Sequence, residues 1–146
     1  MKKGQELTGL VKEVVFPNKG IVETEEGDVI VKNALPGDKV LLRINKLRRD
    51  KPEAALLQVL EKSPKALEKQ CPHFGICGGC TYLTMDYHDE CSLKDSQIKK
   101  MLDRAIPYEY QWDGIKESTV FSGYRNKMEF SFGDEYKDGP LSLGNA

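Results

Sequence analysis

The sequence of 146 residues contains one Trp, four Cys and no apolar run approaching the roughly 18 residues that a membrane span needs. A transmembrane helix is excluded, and no part of the chain is expected to enter a membrane. Met1-Lys2-Lys3 pass directly into Gly4, Gln5 and Glu6, without the apolar stretch that follows the basic residues of a secretory leader, so a cytoplasmic protein is expected. An excess of charge of one sign is also missing. Lys and Arg number 22 against 23 Asp and Glu, a net charge of −1, which removes any global electrostatic argument for nucleic acid. Charge is distributed unevenly only to a small extent: residues 1–60 carry 11 basic against 9 acidic side chains, and the remainder carry a slight acidic excess. No Gly-x-Gly pair and no βαβ pattern occurs, so nothing in the chain resembles a turn that presents a helix N-terminus to a dinucleotide or to a related cofactor. Internal repeats and low-complexity tracts are absent as well.

What is present divides into three parts. From Leu7 to Leu60, β-prone runs (Leu7 to Phe16, Ile21 to Thr24, Val29 to Val31, Lys39 to Leu47, Ala54 to Leu60) alternate with turn chemistry such as Pro17-Asn18-Lys19-Gly20 and Pro36-Gly37-Asp38. Val40, Leu42 and Ile44 alternate with Leu41, Arg43 and Asn45, the period expected when one face of a strand is buried. About 60 residues enclose only a small core, and a five-stranded Greek-key barrel removes most strand edges at that size. The fold class is therefore mainly β with one helix (α+β), beginning with an OB-like barrel over residues 1–62. Residues 63–106 form a second part, a cysteine loop followed by a helix from about Met85 to Ala105. There Tyr87, Cys91, Ile98 and Leu102 share one helical face, Thr84 or Asp86 caps the start, and Pro107 lies past the end. Residues 107–146 are a third part. A linker-like stretch with Gly114 leads to a strand in which Met128, Phe130 and Phe132 alternate with Glu129 and Ser131; a polar turn from Gly133 to Pro140 follows, and Leu141 to Leu143 begin a partner strand. A hairpin this short leaves its partners unsatisfied, so the chain is expected to stop within a domain.

The loop Cys71-Pro72-His73-Phe74-Gly75-Ile76-Cys77-Gly78-Gly79-Cys80 carries the most chemistry. In a reducing compartment, cysteines in a C-x5-C-x2-C pattern point to metal rather than to disulfides. Gly75, Gly78 and Gly79 allow the backbone to turn its N–H groups inward around thiolates. Three cysteines merely packed in a core are disfavoured, because a Gly-rich loop offers few apolar neighbours. A tetrahedral zinc site would take Cys71, Cys77 and Cys80 with Cys91, His73 or His88 as the fourth ligand. The favoured alternative is an iron-sulfur cluster on the same three cysteines with a remote fourth ligand. Cys91 is read as a buried thiol of the helix rather than a ligand.

Taken together these residues resemble the N-terminal part of the bacterial SAM-dependent RNA (uracil-5-)-methyltransferases that carry a TRAM domain and a 4Fe-4S cluster. Asn18-Lys19-Gly20-Ile21, Ala34-Leu35-Pro36-Gly37-Asp38-Lys39-Val40 and Arg43-Ile44-Asn45-Lys46 resemble the TRAM barrel, CPHFGICGGC the cluster loop, and Phe121 through Phe130 the start of the central RNA-binding β domain. The resemblance implies that Cys71, Cys77 and Cys80 are three of four cluster ligands. It also implies that the SAM-binding fold, the nucleophilic cysteine and the proton-abstracting glutamate lie beyond Ala146, so that this chain alone is inactive. At the position of Cys91 the family usually has leucine, in keeping with a core residue.

The implied activity is transfer of a methyl group from S-adenosyl-L-methionine to C5 of a uridine in ribosomal or transfer RNA, with 23S rRNA the expected substrate, by a monomeric enzyme. Within this chain no catalytic residue is expected. Its part would be to grip RNA: Lys46, Arg48, Arg49 and Lys51 cluster beside a barrel strand, and Lys12, Lys19, Arg125 and Lys127 are further candidates for phosphate contacts. Phe16 and Phe74 are candidates for stacking on unpaired bases. Methyl transfer by cysteine addition is redox-neutral, which favours a structural cluster. Two other classes compete with this reading: a self-contained RNA-binding module with a zinc or iron-sulfur knuckle, and a small electron carrier, the latter disfavoured by having only three clustered cysteines.

Overall fold

The computed structural model describes residues 1–48, 50–68, 71–74, 78–134, 136 and 138–145. Five strands, β1 (Glu6–Val15), β2 (Lys19–Thr24), β3 (Gly27–Val31), β4 (Lys39–Lys46) and β5 (Glu53–Glu61), close into a barrel in the order β1-β2-β3-β5-β4. Closure follows from β1 pairing with both β2 and β4, and from a parallel β3–β5 contact at Ile30↔Glu53 and Val31↔Ala54. Closure at this seam is short, since β3 and β5 meet only at those two register pairs, and the OB-like barrel expected from the turn spacing is present. The core is built from alternate, mostly β-branched positions: Val11, Val14, Val22, Val29, Val31, Val40, Leu42 and Ile44 are all buried, with Ala34 among them. Close approach of β1 to β2 requires Gly9, where a Cβ would lie 2.3 Å from the Glu23 carbonyl oxygen.

Two details position the site. The β1–β2 register steps from Val11↔Val22 to Glu13↔Ile21, which leaves Lys12 as an extra, bulged residue. Asp38, in the turn before β4, is buried and accepts backbone N–H bonds from Leu35 and Ser63, both at 2.8 Å, which fastens the chain leaving β5 to the barrel.

Helix α1 (Tyr87–Ala105) starts at Asp86, whose carboxylate accepts the His88 N–H at 2.9 Å. Asp89 and Glu90 in its first turn and Arg104 in its last complement the helix dipole. Its burial differs from the expected stripe. Cys91 is buried, but Ile98 is 38% exposed, and the second buried position is Gln97. The reason is that two faces of α1 are covered. Leu93 packs against the barrel core and Gln97 donates to the Val14 carbonyl at 2.7 Å. The opposite side meets the segment after the helix, which runs back along it: Tyr110 bonds Asp103, Trp112 bonds Asp95 at 3.3 Å, and Ser118 bonds the Tyr87 hydroxyl at 2.7 Å. The expected linker is thus a strap on the helix, with Gly114 at φ +81° as it passes Asp95.

Strands β6 (Phe130–Asp134) and β7 (Leu141–Asn145) pair antiparallel. The first runs through Gly133 and Asp134, which the sequence had placed in the turn, because Gly133↔Ser142 and Asp134↔Leu141 continue the ladder. The apolar side chains Phe130, Phe132, Leu141 and Leu143 are exposed. Among the described residues, no helix is long and apolar enough to cross a membrane.

Candidate nucleic-acid interface and cysteine loop

The expected phosphate contacts fall into two groups once the barrel closes. Lys12 projects from the bulge and pairs with Asp28 at 2.8 Å, and Lys51 approaches the other oxygen of Asp28 at 3.1 Å. Hydrogen bonds from Lys12 and then Lys51 hold the Asp28 carboxyl below the ordinary aspartate range, and the Asp28 bond raises the Lys12 ammonium. Arg48 pairs with Glu53 at 2.8 Å, and Lys127 with Glu129 at 2.8 Å. Lys19, Lys46 and Arg125 are exposed and make no ion pair among the described residues. Arg49 lies outside the described residues.

Sequence reasoning passed over two further cations. Lys32, just after β3, and Arg43, on β4, are exposed and make no ion pair among the described residues. Pairing of Gly20↔Val31, Val31↔Ala54 and Ala55↔Arg43 puts Lys19, Lys32 and Arg43 at one level of the outer wall, with only Ala55 between the last two. Glu6 is the register partner of Arg43 on its other side. The strand period carried the signal: both cations sit beside core positions, Val31 and Leu42, and so must face outward. In the run of charge after β4, by contrast, Arg48 and Lys51 already hold the carboxylates of Glu53 and Asp28.

Of the cysteine loop, Cys71 is partly exposed and Cys80 exposed, while Cys77 lies outside the described residues. Leu67 N–H bonds the Thr84 carbonyl at 2.7 Å and closes the loop at its base. Tyr82, just beyond Cys80, is buried and its hydroxyl donates to the Pro17 carbonyl at 3.3 Å, which ties the loop to the first turn of the barrel; burial raises the phenol above its ordinary value. Among the described residues no three His, Cys, Asp or Glu side chains come together as a metal group. Three thiols from one loop suit zinc or an iron-sulfur cluster in their chemistry. Cys91 is 5% exposed within α1. His88 is engaged elsewhere: its Nδ1 lies 2.9 Å from Glu117, and that bond raises the imidazole above its ordinary value.

No family model matches the chain. Its sequence is 37% identical over 144 residues to an uncharacterized RNA methyltransferase of Clostridium acetobutylicum, covering 99% of this chain and 32% of the relative. A second uncharacterized RNA methyltransferase, from Clostridium tetani, is 38% identical over the same shares. A 23S rRNA (uracil(1939)-C(5))-methyltransferase of Alkalilimnicola ehrlichii is 28% identical over 145 residues, 94% of this chain and 30% of the relative. The chain spans about a third of the length of these relatives.

Proposed function

We propose that this chain, homologous over nearly all its length to bacterial RNA methyltransferases, is the RNA-gripping and cluster-bearing part of a SAM-dependent RNA uracil-C5 methyltransferase acting on 23S rRNA. The observation that carries this reading is the outer wall of the closed barrel, where Lys19, Lys32, Arg43 and Lys46 stand without ion-pair partners among the described residues. Such a wall neutralises phosphates without reading bases, and so positions a strand without specifying it. Residues 1–62 act as the TRAM barrel, 63–106 as cluster loop and helix, and 107–146 as the start of the central β domain. The exposed apolar side of the β6–β7 hairpin would be covered by the remainder of such a protein.

In such an enzyme a cysteine thiolate outside this chain would add to C6 of the uracil and make C5 nucleophilic toward the methyl that SAM supplies; a base would then remove the C5 proton as the thiolate leaves. The target base must leave its stack to be reached. Cys71, Cys77 and Cys80 would hold a cluster whose contribution is to order the loop, with its fourth ligand supplied from outside this chain. Cys91, buried in α1, is read as a core thiol rather than as that ligand.

Full-length protein incubated with labelled SAM and 23S rRNA is expected to place the methyl group on C5 of a uridine. Anaerobically prepared 146-residue protein is expected to contain iron and sulfide, and Cys91→Ser to leave both unchanged. Stoichiometric zinc that Cys91→Ser removes would replace this reading with a zinc knuckle, and RNA binding without methylation by the full-length protein would leave a binding module.

A further inference from the structure

We propose that the cleft between β1 and α1 is a subsite for one nucleotide of single-stranded RNA, its base stacked on Phe16 and its phosphate held by Arg104. The proposal rests on the RNA-binding reading above and locates a contact that neither the cation row nor the cysteine loop supplies.

The cleft exists because the helix stands against β1 on polar joints rather than on a continuous apolar seam. Gln97 bonds the Val14 carbonyl at its floor and Lys100 reaches Glu13 at 2.9 Å across its mouth. Between these joints remains a volume of about 460 Å³, within the range of roughly 300–1,000 Å³ found for small-ligand sites. Its walls are largely apolar, with Leu93 inside and two large side chains, Phe16 at 51% and Met101 at 44%, left exposed. Phe16 follows the last residue of β1, where it is held by the turn rather than by the core.

Charge selects the occupant. The lining includes Lys12, Lys100 and Arg104 against Glu13 alone. Lys12 is engaged by Asp28 and Lys100 by Glu13, whereas Arg104 makes no ion pair among the described residues. An exposed aromatic ring and a guanidinium without an ion-pair partner among the described residues, lining one cleft, suit a planar base carrying a phosphate, whereas a purely apolar peptide side chain would leave the cations unused. Val15 lines the cleft and is the register partner of Lys19, so the cleft lies next to the row formed by Lys19, Lys32 and Arg43. One RNA strand can therefore run from the cleft onto the barrel wall.

The test uses the 146-residue protein and a fluorescein-labelled oligouridylate. Phe16→Leu, which keeps an apolar side chain but no ring, is expected to weaken binding about tenfold, as loss of one base–aromatic stack does. Arg104→Ala is expected to reduce the slope of log affinity against log salt by about 0.7, the value for one phosphate contact on a single strand. Phe16→Trp should retain affinity, and its added fluorescence, over the background of Trp112, should be quenched by the oligonucleotide. Thermal melts of each variant separate lost contacts from lost folding. Wild-type binding with undiminished affinity of Phe16→Leu, an unchanged slope for Arg104→Ala and no quenching of Phe16→Trp would overturn the subsite and leave the barrel wall as the RNA contact. Absence of binding by the wild type would overturn the RNA-binding reading itself.

Discussion

Asp38 shows how much one buried carboxylate holds. At 4% exposure it accepts from Leu35 in its own turn and from Ser63 at the end of the barrel, 25 residues further along the chain. Hydrogen bonds to a charged group contribute about 1.5–3 kcal/mol each, and two buried N–H groups are left without partners when the acceptor goes. Asp38→Ala is expected to destabilise the protein by about 3 kcal/mol or more in urea titrations, and Asp38→Asn, which retains one acceptor oxygen, by less. A midpoint unchanged by Asp38→Ala would show that water replaces the carboxylate. A second residue-scale prediction concerns His88. Its bond to Glu117 raises the folded-state pKa above the unfolded value, so the contribution of this contact is fully present below about pH 6.5 and disappears as pH rises through the raised pKa. The stacked pair Tyr87–Phe121, at 5.1 Å between ring centroids, lies beside this contact and should loosen over the same interval when followed by NMR. Glu117→Gln should return the His88 titration toward the ordinary value; an unmoved titration curve would mean that the bond does not persist in solution.

At the scale of elements, the packing of α1 separates what periodicity reveals from what it hides. The barrel strands were legible because Val40, Leu42 and Ile44 face inward at alternate positions and the turns are marked by Pro, Gly and Asn. The helix limits were legible too, from Asp86 at the start and Pro107 past the end. The face of the helix that meets the barrel was not. Leu93, Gln97, Lys100, Met101 and Arg104 include three polar or charged residues, and a polar residue appears outward-facing until its distant partner, here the Val14 carbonyl, is known. Nor could the strap be anticipated, since its contacts from Tyr110, Trp112 and Ser118 to the helix depend on the chain doubling back. Gln97→Leu tests the joint. The larger apolar surface adds burial, but the Val14 carbonyl loses its donor, a cost of about 1–3 kcal/mol for a buried acceptor. A net loss of stability in denaturant titrations is expected; equal or greater stability would show that the joint is held by apolar packing alone.

For the whole molecule, balanced composition conceals a sorted surface. A net charge of −1 coexists with a barrel wall on which some cations are neutralised locally and others are not. The distinction is invisible in sequence, because Asp28 lies 16 residues beyond Lys12 and 23 before Lys51 yet pairs with both. The similarity to RNA methyltransferases was legible in short strings of sequence, the cysteine loop and the turn residues, whereas the division of the cations requires the closed barrel. Two sets of substitutions turn that division into a measurement. Replacing Lys19, Lys32, Arg43 and Lys46 by Ala removes charges that have no ion-pair partner among the described residues; each that contacts a phosphate contributes about 0.7 to the log–log salt slope on single-stranded RNA, and the slope should fall accordingly. Replacing Lys12, Arg48 and Lys51 removes charges already balanced by Asp28 and Glu53, so affinity and slope should change less, while stability changes little because exposed pairs are worth at most about 1 kcal/mol. An equal fall for both sets would mean that the carboxylates release their lysines and arginine when RNA binds. A fall confined to the second set would place the RNA on the Asp28 side of the barrel instead of on the row formed by Lys19, Lys32 and Arg43.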